Sequence, residues 1–211
     1  MPVTVDAVDL GSGVGAWFTR RDPEGAATAL APAGNLSHHR PHSPATLARS
    51  RREVAAAIGY EPSRWHQMRQ AHGSEVAVVD HRTTPGTELR HVDAAITALN
   101  DRPLVVTVAD CVPVLLAGQT HVAAVHAGRQ GLVAGVLPAT VEALARTGEH
   151  VASLRAVVAT AGKKVELEAI KTLAPDCEKD ERSPARALAE RSKHADLVVV
   201  GNRGLHGSKS P

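Results

Sequence analysis

The chain has 211 residues, 43% of them hydrophobic, and a formal net charge of +2 at neutral pH. That apolar content excludes wholesale disorder, and so small a charge gives no ground for nucleic-acid or membrane-surface binding. No apolar run approaches a membrane span, Met1–Leu10 lacks a secretory pattern, and Cys111 and Cys177 make no disulfide framework, so the expectation is a soluble cytoplasmic protein with reduced thiols. The aromatic residues are only Trp17, Phe18, Tyr60 and Trp65, so the core must be built from Val, Leu, Ile and Ala.

In chain order, Val14–Arg20 reads as a first strand, and 21–44 as a loop rich in Pro and Gly with His38, His39 and His42 in it. A helix follows with clean signals at both ends. Ser43 is a good N-cap, Pro44 suits the first helical position, and Gly59 stands where a left-handed C′ residue belongs. Leu47, Val54 and Ile58 share its apolar face, while Arg49, Arg51 and Arg52 form a basic segment that reads as a solvated face or a phosphate contact.

Gln70–Ala71–His72–Gly73 leads to a strand over Glu75–Asp80; Thr83–Arg90 reads as a polar loop and Val92–Ala98 as another strand. Leu104–Ala109, Pro113–Ala117 and His121–Val125 are short β-branched runs, and if they pair in one sheet a thiol and an imidazole come close together at strand ends. A helix is expected over Leu132–Thr147, where Pro138 either kinks it or marks its first turn. Leu154–Thr160 reads as a strand, Ser183–Pro184 opens a helix through about Lys193, and Ala195–Gly201 is a buried-type strand entering the turn Gly201–Asn202–Arg203–Gly204.

The chemistry lies at the ends of the central runs. His72, Cys111 and His126 are separated by 39 and 15 residues, which excludes a zinc finger with its closely paired ligands. The spacing suits a catalytic-type centre with three ligands from different elements and one open position. A thiolate with two imidazoles suits Zn²⁺ and also admits copper. Asp110 or Asp93 would orient a ligand histidine or move a proton. The same residues admit a metal-free reading, with Cys111 as nucleophile and His72 or His126 as its base. They also admit a structural one, with Cys111 a small buried hydrophobe.

Asn35–Leu36, Gln70–Ala71–His72–Gly73, Asp93–Ala94, Ala109–Asp110–Cys111–Val112–Pro113–Val114 and Val125–His126–Ala127–Gly128 stand in one order over about residues 10–150. In that order they resemble the laccase-domain family of bacterial purine nucleoside phosphorylases, also called multicopper polyphenol oxidase-like proteins. The resemblance implies zinc on His72, Cys111 and His126, and a layered α/β fold with mixed sheets, as in a group of cysteine hydrolases. It implies phosphorolysis of adenosine, inosine, guanosine and methylthioadenosine, and deamination of adenosine by zinc-activated water. Arg51 matches an arginine of the family's helix and is the candidate to hold phosphate. Two departures stand out. Arg129–Gln130 replaces the family's Trp-Arg after His-Ala-Gly, and the family's later Gly-Pro turn and Cys-Tyr-Glu-type motif are not found.

The last fifty or so residues instead resemble the end of a universal stress protein, through Ser183–Pro184–Ala185 and Ala195–Gly204. That resemblance implies a nucleotide turn at Gly201 and Gly204. The expectation is therefore an α/β chain of layered mixed sheets flanked by helices, truncated, with a C-terminal β-α-β piece. Residues 1–152 form an incomplete laccase-type domain and 153–211 a stress-protein-like fragment. The leading function is a zinc-dependent purine nucleoside phosphorylase and adenosine deaminase, or an impaired relative of one. Its partners are purine nucleosides and phosphate, not nucleic acid or membrane, and a homo-oligomer is one way to cover the Val-rich central strands. The rivals are a nucleotide-binding stress module, a metal-free cysteine hydrolase and a copper-dependent phenol oxidase, the last weakened by a count of only three evident ligands.

Overall fold

The structure, a computed structural model, describes residues 4–11, 13–20, 36–37, 43–109, 111–160, 163–167 and 195–202. It begins with β1 (Thr4–Ala7) and β2 (Val14–Arg20), then α1 (Pro44–Ile58) and a 3-10 turn at Pro62–Arg64. Next come β3 (His66–Arg69), β4 (Val76–Val79), β5 (Leu89–Arg90), β6 (Ala94–Thr97), β7 (Leu104–Val106), β8 (Val112–Ala117) and β9 (Val122–Ala127). Two helices, α2 (Arg129–Ala134) and α3 (Val136–Arg146), precede a second 3-10 turn at Val151–Ser153. The described part closes with β10 (Arg155–Thr160), β11 (Lys163–Leu167) and β12 (Ala195–Asn202).

The strands form two six-stranded sheets, ordered β1-β2-β12-β7-β3-β5 and β11-β10-β8-β9-β6-β4. Both mix parallel and antiparallel pairs: β3 runs parallel to β5 and β7, and β4 parallel to β6, amid antiparallel neighbours. The sheets pack face to face. Phe18, Met68, Leu104 and Val106 of the first meet Val79, Ala95, Leu115, Ala124 and Val157 of the second in one core. Because successive strand side chains alternate between faces, Val112, Val114 and Leu116 point the other way, against Val136 and Leu144 of α3. On the outer face of the first sheet, Trp17, Trp65 and Val105 pack on Val54, Ala55 and Ile58 of α1. The result is a helix–sheet–sheet–helix stack. It explains why β8 and β9 are buried at every position and read as continuous apolar runs.

Helix α1 starts and stops where its sequence signals stand, with Gly59 at φ 75° donating its N–H to Ala55 O. Leu47, Val54 and Ile58 are buried as its spacing requires, and Arg49 and Arg52 are exposed. The helix expected over 132–147 is in fact two, broken at Gly135, whose φ of 89° no helical residue adopts. Pro138 falls in the first turn of α3, where its missing N–H costs nothing.

The three central runs do not share one sheet. β8 and β9 pair as a hairpin in the second sheet, while β7 lies in the first, beside β3 and β12. A run of three β-branched or leucyl residues carries no label for which sheet it joins; its partners decide. Strands β1, β3, β5 and β11 are not among the strands expected, and β5 falls inside the stretch expected as loop. Strand β12 inserts between β2 and β7, pairing with both. The helix expected at Ser183–Lys193 lies outside the described residues. Among the described residues no helix is long and apolar enough to cross a membrane.

Candidate metal centre

Three chain segments converge at one end of the stack. His72 lies in the loop that leaves β3 in the first sheet, Cys111 where the chain passes from β7 to β8 in the second, and His126 near the end of β9. In the hairpin register Val112 faces Ala127, so the thiol of Cys111 comes beside Gly128. The candidate donor atoms of His72, Cys111 and His126 lie within 4.8 Å of one another. The two imidazole rings stand edge to face with centroids 4.8 Å apart.

The donors fit one metal ion. Tetrahedral zinc, with bonds of about 2.0–2.3 Å, needs donors roughly 3.3–3.8 Å apart, a small closure from this arrangement. Gly128 leaves the room: a Cβ there would lie 2.9 Å from Cys111 Sγ, 3.2 Å from His72 Cδ2 and 3.5 Å from His126 Cε1. His126 is buried, Cys111 half-buried and His72 exposed, so the cluster opens on the His72 side.

Asp93, fully buried just before β6, holds this geometry. Its Oδ1 accepts His126 Nδ1–H at 2.7 Å and the His72 N–H at 2.9 Å. Its Oδ2 accepts the N–H groups of Ala71 at 3.0 Å and Gly73 at 2.8 Å. Burial pushes the Asp93 carboxyl up, but the hydrogen bonds from His126, Gly73, Ala71 and His72 more than reverse this, and its pKa lies below the ordinary value. Burial lowers the pKa of His126, the bond to Asp93 opposes this in part, and the balance favours the neutral ring. With Nδ1–H donated to Asp93, Nε2 is the atom left for a metal. His72 has φ 61°, a left-handed conformation that costs a non-glycine residue about 1–2 kcal/mol and is stabilised here by the Asp93 carboxylate.

Asp93 therefore orients the ring of His126, one of the three candidate ligands. Asp110 and Gly204 lie outside the described residues, as do His38, His39, His42 and Cys177. Gly201 is inside β12, opposite Gly15. Arg51 is half-buried on α1; its Nε and Nη2 donate to Leu36 O at 3.3 and 3.1 Å, and Nη2 donates to Gln67 Oε1 at 2.6 Å. None of these contacts is to the three-residue cluster. Arg129 is exposed at the start of α2, immediately after Gly128. Sequence reasoning passed over two residues. In the sequence Gly128 and Gln70 stand only as members of motifs, though the place of Gln70 two positions before His72 is a usable signal.

The chain matches the family described as multi-copper polyphenol oxidoreductase laccase over residues 15–207, a span that crosses the boundary expected at 152/153. It is 45% identical over 109 residues to the purine nucleoside phosphorylase ORF3 of Streptomyces griseus, covering 51% of this chain and 44% of that protein. It is 33% identical over 146 residues to a purine nucleoside phosphorylase of Corynebacterium glutamicum, covering 68% of this chain and 59% of that one. The chain thus spans about half the length of the named relatives it matches. Among solved structures, YlmD from Geobacillus stearothermophilus superposes with a TM-score of 0.71 at 18% identity, covering 92% of this chain and 93% of that one. The Neisseria meningitidis protein NMB0706 gives 0.66 at 19% identity, over 97% and 100% of the two chains. Both share the fold.

Proposed function

This chain belongs to the multi-copper polyphenol oxidoreductase laccase family, and from that premise we propose that it is a zinc-dependent purine nucleoside phosphorylase that also deaminates adenosine. The observation that carries the reading is the convergence of His72, Cys111 and His126, with Gly128 leaving space between them. The relatives named purine nucleoside phosphorylase support the substrate class, a purine nucleoside and phosphate, and the family resemblance read in the sequence narrows it to adenosine, inosine, guanosine or methylthioadenosine. One thiolate and two imidazoles favour zinc, and among the described residues these three donors make one centre, whereas multicopper oxidation requires several.

When bound, the metal supplies Lewis acidity at the open position. The chain's own residues do the rest. Asp93 fixes the tautomer of His126 and holds the backbone of His72. Burial keeps His126 neutral and able to ligate. Phosphorolysis breaks the bond between the base and the ribose anomeric carbon while phosphate oxygen bonds to that carbon, so phosphate needs a cation beside the ribose. Arg51 and Arg129 are the candidates, and Arg51→Lys and Arg129→Ala separate them by their effects on KM for phosphate.

The test is phosphate-dependent release of free base from inosine, and conversion of adenosine to inosine, by the purified chain supplied with zinc. Turnover that disappears in Cys111→Ala supports the reading. No turnover of any of the four nucleosides, with zinc and phosphate both present, sinks it.

A further inference from the structure

Two of the three candidate ligands are joined by Asp93, but that carboxylate does not reach the segment that carries the third. Cys111 sits on the passage between sheets, four residues past Thr107, where β7 has just ended. Something must set that passage relative to the His72 loop.

The hydrogen bonds at Thr107 show what does. Gln70 Nε2 donates to Thr107 O at 2.7 Å, and Thr107 N–H donates to Gln70 Oε1 at 3.1 Å. The side-chain amide thus pairs with both backbone groups of one residue, as a neighbouring strand would. Strands β3 and β7 pair in parallel through His66↔Leu104 and Gln67↔Val105 and then run out. Gln70 extends that ladder by one step, beyond the last residue of either strand. The threonine hydroxyl is held as well: Gln67 Nε2 donates to Thr107 Oγ1 at 3.1 Å, and Arg51 Nη2 fixes Gln67 through its Oε1 at 2.6 Å. All three polar groups of Thr107 are therefore held by side chains from β3 and from the residue that follows it.

We infer that Gln70 is a positioning residue for the metal centre, clamping the Cys111 passage to the His72 loop as Asp93 clamps that loop to His126. The inference rests on the reading of His72, Cys111 and His126 as a metal site. A structural amide could sit anywhere along the two strands. This one is two residues from one ligand and bonded to a residue four before another, at the point where the chain leaves one sheet for the other. A drift of that passage moves the sulfur relative to both imidazoles. Groups that orient ligands from behind in this way are worth about 10–100-fold in metal affinity.

The experiment uses the full chain and cobalt(II) alone, because a cysteine thiolate on cobalt gives a near-ultraviolet charge-transfer band that reports the metal–sulfur bond directly. Wild type is compared with Gln70→Ala and with Gln70→Glu, which is isosteric and keeps the acceptor for Thr107 N–H but loses the donor to Thr107 O. Far-ultraviolet circular dichroism checks the fold, and the glutamate variant decides the matter where the alanine variant does not fold. The expected result is a folded variant with cobalt affinity weakened about 10–100-fold and a diminished thiolate band. Wild-type affinity with an undiminished band in the variants overturns the Gln70 assignment alone. A wild-type chain that gives no thiolate band overturns the metal reading itself, and the Gln70 assignment with it.

Discussion

The Asp93 carboxylate accepts the Nδ1–H of His126 at 2.7 Å, and with the same oxygen it accepts the backbone N–H of His72 at 2.9 Å. One buried atom thus sets the ring of one candidate ligand and the backbone of another. Replacing Asp93 with asparagine keeps the shape but removes the charge and turns one acceptor into a donor. We expect zinc affinity to fall about 10–100-fold and the metal-free fold to lose about 1–3 kcal/mol, since the buried His126 Nδ1–H and three part-buried backbone N–H groups lose a charged acceptor. Competition with a chromophoric chelator measures the first and urea unfolding the second. Unchanged zinc affinity in a folded Asp93→Asn protein would remove Asp93 from the site.

Gly128 offers a steric test independent of charge. Its φ of −75° suits any residue, so Gly128→Ala introduces no backbone strain, only a methyl group 2.9 Å from Cys111 Sγ. The variant is expected to fold, with a packing cost of about 1–3 kcal/mol, and to retain no stoichiometric zinc by elemental analysis. Gly59→Ala is the control. At φ 75° with nothing within 4 Å it meets strain but no neighbour, so it should cost stability, about 1–2 kcal/mol, and leave zinc content alone.

The far end of the same hairpin depends on Glu149. Its carboxylate accepts the N–H groups of Gln119, Thr120 and His121 and the Thr120 hydroxyl, at 2.6–2.8 Å, and so caps the turn between β8 and β9. Burial pushes its pKa up, but the Thr120 hydroxyl and the three N–H groups prevail and bring it to about 2, from an ordinary 4.5. A depressed carboxyl pKa means that the unfolded chain takes up the proton first. The stability Glu149 contributes is therefore complete above pH 4.5 and is lost as pH falls toward 2. Glu149→Gln should lower stability at neutral pH by about 1–3 kcal/mol and flatten that acid limb in chemical denaturation curves. An acid limb identical to wild type would assign it to other carboxyls.

His66 acts at milder pH. It is wholly buried in β3, its Nδ1 lies 3.1 Å from Thr87 O, and its Nε2 has no hydrogen-bond partner among the described residues. Burial, the largest influence, lowers its pKa below 6.5 despite the Thr87 contact. The folded protein thus holds the ring neutral while the unfolded chain protonates it, so stability is complete above pH 6.5 and declines as pH falls below it. Urea midpoints of metal-free protein at about pH 7.5 and 5.5 should differ, and the difference should shrink in His66→Leu. His126 contributes with the same sign, so the difference should not vanish. An equal difference in wild type and His66→Leu would take His66 out of the account.

Much of this protein follows from local sequence. The ends of α1 follow from Pro44 in the first turn and the left-handed Gly59, because such signals act within a few residues, although the Ser43 side chain makes no capping hydrogen bond. Strands β8 and β9 are legible as β-branched runs, and His72, Cys111 and His126 were identifiable as donors by residue type and by the motifs around them. The break at Gly135 was open to reading too, since glycine inside a helical pattern marks a stop as readily as a packing site.

Strand partners, by contrast, are set by the packed fold and not by local sequence. β7 looks like its neighbours β8 and β9 yet joins the other sheet, and β12 enters between β2 and β7 from the end of the chain. Strand propensity reports that a segment suits a pleated, half-buried surface; it does not name the neighbour. The same holds at the site. Nothing local to Asp93 or Gln70 states that one carboxylate will collect four donors from the His72 loop and β9, or that one amide will pair with Thr107, 37 residues away. Such bonds form because buried polar groups must be satisfied by whatever the fold brings within reach, and the packing of the two sheets decides what that is.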